Sequence, residues 1–288
     1  MIPEPLLYVY AVVASSPALS PLPVPDEPPD PPLGARLTLV EHRGLTAVVE
    51  PVDAGEFDEG PLREHLEDLD WVASVARAHH RVVGAVGRRT TTVPMRLATV
   101  CRGEPGVRRL LDTGHDPLRA SLDRIAGMEE WGVKLYVDDD TDPSGRGDAT
   151  GPTDGADSAG SAVSSESSGS VRAARSAGRD YLRRRLDDQR TRQYRAARVS
   201  DTADRLHALL ASRASDAVLH PPQHARLAHA PGRNVLNAAY LVPVEGGQDF
   251  LDALPARDVL PDGVRVDVTG PWVPYSFTQN APEPGTTR

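Results

Sequence analysis

Near the C-terminal end of the chain, a strand pattern runs directly into a segment that can form neither a helix nor a central strand. Residues 263–268 alternate between apolar and polar side chains, which predicts a strand. The next nine residues, Thr-Gly-Pro-Trp-Val-Pro-Tyr-Ser-Phe, carry two prolines, which cannot donate the backbone hydrogen bonds of those structures. Because this segment is stiff and also holds three aromatic side chains, it either closes a core or forms a preformed contact surface.

The alternation of an extended backbone sorts these aromatic residues onto two sides. Tyr275 and Phe277 share one side, and Trp272 faces the other. We predict that Trp272 packs inward and holds the segment in place. Tyr275 or Phe277 then remains partly available to a partner.

The composition narrows the class of protein. A chain of 288 residues predicts one or two domains, and a net charge of −9 argues against general binding to nucleic acid or to anionic membranes. A single cysteine, Cys101, excludes an internal disulfide and a cysteine-based zinc site. No run of ~20 apolar residues is present, and the first residues lack a basic region, so we expect a cytoplasmic protein.

Residues 1–128 read as one small α+β domain. A proline-rich loop spans residues 15–34. The helix pattern starts at residue 60 and carries one apolar stripe through Leu66, Leu69 and His80 to Val83. Strand patterns cover residues 6–13, 36–41, 45–50 and 93–101, and prolines open short helices at residues 105 and 117.

Residues 129–277 read as a second α+β domain, followed by a flexible tail over residues 278–288. Its pattern is strand, helix, strand, strand, helix, strand, the order of a ferredoxin-like split βαβ unit. The long helix is predicted over residues 177–212. Residues 138–170 form an insert of Asp, Ser, Gly and Thr with a net charge of −7, which we expect to be disordered. In both domains we expect an antiparallel sheet covered by helices on one face.

Several patterns that could carry chemistry are weak. His79 and His80 are adjacent and point in different directions, so they do not chelate one ion easily. His220, His224 and His229 lie in a proline-bounded loop without a nearby acid or cysteine ligand. Residues 172–198 are rich in arginine but poor in stacking aromatics, which argues against nucleic acid. We therefore expect no catalytic residues, metal or cofactor.

Four segments resemble the gas vesicle protein F/L family, in family order. The C-terminal motif described above resembles its C-terminal signature, and residues 7–13 resemble its opening strand. Residues 93–100, Val-Pro-Met-Arg-Leu-Ala-Thr-Val, resemble a segment with the pattern Leu-Pro-(apolar)-Arg-Phe-Gly-Thr. Residues 130–134, Glu-Trp-Gly-Val-Lys, match a mid-chain motif. The chain departs from the family at Leu97 and Ala98, where Phe and Gly are expected.

The resemblance implies a non-catalytic assembly factor or minor structural protein of gas vesicles. Such a protein would bind the small apolar shell protein and other accessory gas vesicle proteins, but not nucleic acid or a membrane. The competing hypotheses are a small-molecule regulatory or enzymatic domain of ferredoxin-like fold and an RNA-binding sheet face. The candidate motif and partner-surface residues are Pro94, Arg96, Thr99, Trp131, Gly132, Lys134, Thr269, Gly270, Trp272, Pro274, Tyr275 and Phe277.

Overall fold

The protein is described from a computed structural model, which describes residues 4–16, 33, 36–138, 167–222 and 232–278. Most of the proline-rich loop, nearly all of the acidic insert and the predicted tail after Thr278 lie outside these residues. The described chain is α+β, as predicted, and contains two antiparallel sheets. None of the helices in the described ranges is both long enough and apolar enough to span a membrane.

The first sheet has five strands, with β1 at its centre. They are β1 (Leu6–Ala14), β2 (Thr38–His42), β3 (Leu45–Val52), β4 (Thr92–Pro94) and β5 (Val100–Arg102). The order is β2-β3-β1-β4, and β5 pairs with the other end of β1. Because β1 is buried on both faces, its sequence is a nearly continuous apolar run without clear alternation.

The helices around the first sheet are α1 (Ala54–Phe57), α2 (Glu59–His65), α3 (Leu69–Gly87), α4 (Gly103–Thr113) and α5 (His115–Ile125). One face of β1, including Tyr8 and Tyr10, packs on α3. Its other face, including Leu7 and Val9, packs on α4 and α5. The expectation of helices on one face only is therefore wrong for this sheet.

The predicted single helix from residue 60 is also wrong, because the chain breaks between α2 and α3. Asp68 caps α3, since its Oδ1 accepts hydrogen bonds from the backbone N–H groups of Asp70 and Trp71. The break turns part of the predicted stripe out of the core, although Val83 at its end is buried. Leu66 and Leu69 are exposed, and His79 is buried in place of His80.

The predicted strand over residues 93–101 is two strands separated by a turn. Both β4 and β5 pair with β1, and the turn between them lies opposite a bulge at Tyr10. The Tyr10 carbonyl accepts a hydrogen bond from the Met95 N–H, at 2.9 Å. Thr99 closes the turn through its Oγ1, which donates to the Arg96 carbonyl at 2.7 Å.

The second sheet has four strands in the order β7-β8-β6-β9. Its elements are β6 (Met128–Val137), α6 (Ser167–Ala211), β7 (Asp216–Leu219), β8 (Arg233–Pro243), α7 (Gly247–Asp252) and β9 (Val264–Trp272). The predicted succession of strands and helices is observed. The bounds differ most at α6, which begins ten residues earlier than predicted, and at β9, which continues to Trp272.

The two sheets share a core. One face of the second sheet packs on α6 and α7. The opposite face supplies Ala239 and Leu241 to the core formed by β1, α4 and α5. An ion pair between Arg124 on α5 and Asp216 on β7 lies at this junction. The two sheets are thus packed together rather than joined only by a linker.

Candidate functional site

The C-terminal motif leaves the second sheet and crosses onto the first; we call residues 269–278 the C-terminal strap. Val273 lies against Gly87 of α3 so closely that a Cβ on Gly87 would collide with the Val273 side chain. Tyr275 packs beside the core that contains Tyr8 and α3. The strap therefore connects the edge strand of one sheet to the helix that covers the other.

Two of the family-like motifs lie side by side in this region. Residues 130–134 belong to β6, and the start of the strap belongs to β9, with Gly132 opposite Thr269. A Cβ on Gly132 would lie 2.7 Å from the Thr269 Oγ1. Gly270 has a φ of +132°, and a Cβ there would lie 2.8 Å from the Glu130 carbonyl oxygen and 3.0 Å from the Trp131 ring. The two glycines thus permit a close contact between the motifs.

A buried carboxylate fixes the middle of the strap. Glu130 accepts hydrogen bonds from the backbone N–H of Ser276 and from its Oγ, both at 2.8 Å. His220 Nε2 lies 3.1 Å from the same Oγ and donates to it, because the hydroxyl hydrogen is directed to Glu130. Burial raises the pKa of Glu130, and the two hydrogen bonds from Ser276 oppose that shift.

A second buried polar group lies beneath Tyr275. The Ala98 N–H donates to the Tyr8 hydroxyl at 3.2 Å, and Tyr8 Oη lies 2.9 Å from His79 Nδ1. The pKa of His79 is lowered to about 4, mainly by burial and also by the neighbouring His80, while a hydrogen bond to the Met95 carbonyl opposes the shift. Since neutral His79 can accept at Nδ1, the observations fit a Tyr8 hydroxyl that donates to it.

Two of the three aromatic side chains of the strap, Trp272 and Phe277, face the opposite way from the sequence prediction, whereas Tyr275 is half-buried. Trp272 is 41% exposed and lies against His80, with ring centroids 4.9 Å apart. Phe277 is only 4% exposed and joins the shared core, where the guanidinium of Arg124 lies over its ring. Simple alternation fails because a register shift at this end of β9, between the pairs Gly132–Thr269 and Glu130–Trp272, changes the direction of the side chains.

The remaining predicted residues form the frame of the site. Pro94 and Thr99 are buried, whereas Arg96 is exposed at the turn between β4 and β5. Trp131 is buried, and its Nε1 donates to Glu129 at 2.8 Å. Other predicted positions are Pro274, which is buried, Tyr275, which is half-buried, and Lys134, which lies opposite Asp267 across β6 and β9.

Sequence reasoning missed the residues that hold the strap in place. Glu130 lies in the motif of residues 130–134 and Ser276 in the C-terminal motif, and this position within the motifs was the only feature of the sequence that indicated either residue. His220 came into consideration only as a metal ligand, and its Nε2 is at Ser276. His224 and His229 lie outside the described residues. Among the residues that the structure does describe, no group of three metal-ligating side chains is found.

An open groove of about 770 Å³ runs alongside the exposed end of the strap. One wall comes from the C-terminal half of α3 and the loop after it, and the other from the strap and the start of β6. Trp272 and Val244, which is 58% exposed, both line it. The groove therefore brings exposed apolar surface next to the family-like motif.

The sequence is similar to known gas vesicle proteins over nearly its full length. A model of the family described as "Gas vesicle synthesis protein GvpL/GvpF" matches residues 6–279. Gas vesicle protein L of a Streptomyces strain is 42% identical over 278 residues, which covers 96% of this chain and 94% of that protein. Gas vesicle protein L1 of Halobacterium salinarum is 25% identical over 279 residues, with coverages of 94% and 89%.

Solved structures show the same fold. The crystal structure of GvpF from Microcystis aeruginosa has a TM-score of 0.58 at 16% identity and covers 95% of this chain and 99% of its own. The structure of GvpF from Anabaena sp. PCC7120 has a TM-score of 0.57 at 16% identity, with coverages of 96% and 97%. At this identity, the likeness concerns the fold alone.

Proposed function

This chain belongs to the GvpL/GvpF family of gas vesicle synthesis proteins, and from that premise we propose that it binds the apolar shell protein as an assembly factor or minor structural component. A gas-vesicle-related role and an association with gas vesicle components follow from the family. The proposal adds the binding surface, the groove beside Trp272. It also assigns a non-catalytic mode of action.

The exposed Trp272 is the observation on which this proposal rests. A shell subunit is small and apolar, and water drives such surfaces to aggregate before assembly. Trp272 offers a large apolar ring on a backbone that is already fixed by Glu130, Ser276 and packing against Gly87. A fixed aromatic side chain loses little entropy on binding, which favours affinity.

The non-catalytic mode is supported by the Ser276 hydroxyl. Activation of a serine as a nucleophile requires a base that takes its proton during attack on a substrate. Here Glu130, which accepts the hydrogen bond of the hydroxyl, also accepts the backbone N–H of Ser276, and His220 donates to the hydroxyl oxygen instead of accepting from it. We assign Glu130, Ser276 and His220 to holding the strap in position.

The proposal can be tested by capture of the shell protein with purified variants. Trp272→Ala should weaken capture at least about tenfold, the effect expected for an aromatic residue at the centre of an interface. Trp272→Phe should restore part of it. Tyr194→Ala is the control, because Tyr194 is an exposed aromatic residue on α6, remote in sequence from the strap. Equal capture by Trp272→Ala and the parent would refute the assigned surface.

A further inference from the structure

The outer edge of the second sheet is formed by β9, which is hydrogen-bonded to β6 on one side only. The Asp138 N–H donates to the Gly263 carbonyl at 2.9 Å, so every second residue of the chain from Gly263 onward bonds to β6 in this antiparallel ladder. The residues between them, Val264, Val266 and Val268, therefore direct their backbone N–H and C=O groups away from the sheet.

This edge is open to a further strand. The Val264 N–H donates to the Pro261 carbonyl in the preceding turn. Among the residues that the structure describes, nothing bonds to the outward N–H or C=O groups of Val266 and Val268. Such a row of groups is a template for another strand. The nine residues of β9 make it the longest edge, since the other edge strands have five residues or fewer.

The apolar side of β9 is covered less well than that of the neighbouring strand. Val266 and Val268 pack on the core of the second sheet but stay partly exposed. Leu135 and Val133, which lie opposite them on β6, are fully buried. A further strand beside β9 would cover this remaining apolar surface.

The charged residues on the other side of β9 indicate which strand fits. Arg265 Nε donates to Asp267 Oδ1 at 2.9 Å, and the guanidinium lies over the Tyr136 ring, so neither charge is free. Their order around Val266 still selects a register. If Val266 faces its own copy in an antiparallel pair, each Arg265 lies opposite an Asp267. A shift that makes Arg265 or Asp267 face its own copy places like charges together, which is destabilising.

We propose that β9 pairs with β9 of a second copy of this chain, antiparallel and centred on Val266. The two four-stranded sheets then form one continuous sheet about a two-fold axis, the commonest symmetry of soluble oligomers. Two hydrogen bonds join the two Val266 residues, and two more run from each Val268 N–H to the Val264 carbonyl of the other copy. Arg265 and Asp267 form non-hydrogen-bonded pairs, in which opposite side chains are closest.

The pairing also bears on capture of the shell protein, a consequence that rests on the proposed function. Trp272 follows Val266 by six positions. At ~3.3 Å per residue, the two Trp272 side chains would therefore lie roughly 40 Å apart. A pair with two grooves binds closely spaced shell subunits more tightly than one groove does.

The test is the mass of the full-length protein in solution, measured by light scattering over a range of concentrations without shell protein. The dimer has twice the 30.9 kDa of one chain. Val266→Pro removes an outward N–H but no bond to β6, so it should keep the fold. Because each dimer loses two hydrogen bonds, its dissociation constant should rise at least about tenfold. Val266→Ala keeps the N–H and is the matched control that should still dimerise.

A charge exchange tests the register. Arg265→Asp and Asp267→Arg each place like charges opposite one another and should weaken the homodimer. A mixture of the two variants should form a heterodimer, and both substitutions in one chain should restore the homodimer. The control is Asp201→Arg, a charge reversal at an exposed position of α6, which should leave dimerisation unchanged.

The results that overturn the pairing are definite. They are a parent protein that stays monomeric at every concentration, a dimer that persists in Val266→Pro, and charge variants that fold but do not re-pair when mixed. An equal effect of Asp201→Arg would also overturn it, as a general charge effect. If the charge variants do not fold, Val266→Pro and Val266→Ala decide. Shell-protein capture is measured separately, and its absence in a dimeric parent would refute the proposed function alone.

Discussion

The two ends of the C-terminal strap lie in different environments. At one end, Trp272 sits in an open groove and meets solvent. At the other, Phe277 is enclosed between the two sheets, and Pro274 and Thr278 are buried beside it. We call these the open end and the anchored end. One short motif thus supplies both a fixed support and an exposed surface, so its two ends should respond differently to substitution.

The largest difference should appear when the two aromatic side chains are truncated. Phe277→Ala removes a buried ring from the shared core and should lower the free energy of unfolding by about 3–5 kcal/mol. The ring of Trp272 is already partly exposed to solvent, so Trp272→Ala should lower the free energy of unfolding by only about 1–2 kcal/mol. Urea unfolding of both variants measures the comparison. An equal loss for both would mean that the two ends are anchored alike.

Acid should act on the support beneath the middle of the strap, where His79 lies close to Tyr275. His79 has a folded-state pKa of about 4 and an ordinary value near 6.5, so the unfolded chain binds more protons between these values. The stabilising effect of keeping His79 neutral is present above pH 6.5 and is lost as the pH falls toward 4. Between pH 7 and pH 5 this loss should amount to about 2 kcal/mol.

Glu130 works in the opposite direction in the pH range just above its ordinary pKa. Burial raises its pKa, so the folded state binds more protons there, and its contribution to stability increases as the pH falls. Urea unfolding of the parent and of His79→Asn at pH 7 and at pH 5 distinguishes the contribution of His79 to stability from that of Glu130. The variant should lose less stability on acidification than the parent, and parallel losses would contradict the assignment. Glu130→Gln is the matched second variant.

The sequence predicted the elements better than the directions of their side chains. Local patterns were sufficient for the second sheet, whose alternating strands have one face on α6 and the other on the first sheet. They failed in α3, where the Asp68 cap resets the phase of the helix and exposes Leu69. They failed again at Trp272, because the register shift near the end of β9 is not visible in simple alternation.

The site could be predicted only in part, for a related reason. Motifs indicated that the strap and residues 130–134 matter, but not that they pair across two strands. The partners of Ser276 are far apart in sequence, since Glu130 is 146 positions away and His220 is 56. Contacts of this range depend on the whole topology of the second sheet. These contacts cannot be predicted from composition or periodicity.

The smallest predicted effect concerns Ala98, in the turn between β4 and β5, whose N–H donates to Tyr8 beneath the strap. Ala98 has a φ of +62°, a left-handed conformation that costs an L-residue roughly 1–2 kcal/mol. Glycine adopts the left-handed conformation without this cost. Its greater conformational freedom in the unfolded chain, however, offsets part of the gain in stability. Ala98→Gly should therefore raise the free energy of unfolding by about 0.5–1 kcal/mol, and the Ala98 N–H still donates to Tyr8.

This substitution sharpens the comparison between the two ends because it should change stability alone. Capture of the shell protein depends on the open end, so Ala98→Gly should bind like the parent. Ala73→Gly is the control, since the same chemical change at an exposed position inside α3 should cost roughly 1 kcal/mol. A loss of stability with Ala98→Gly would show that the Ala98 methyl group packs usefully in the turn. A loss of capture would show that the two ends are coupled.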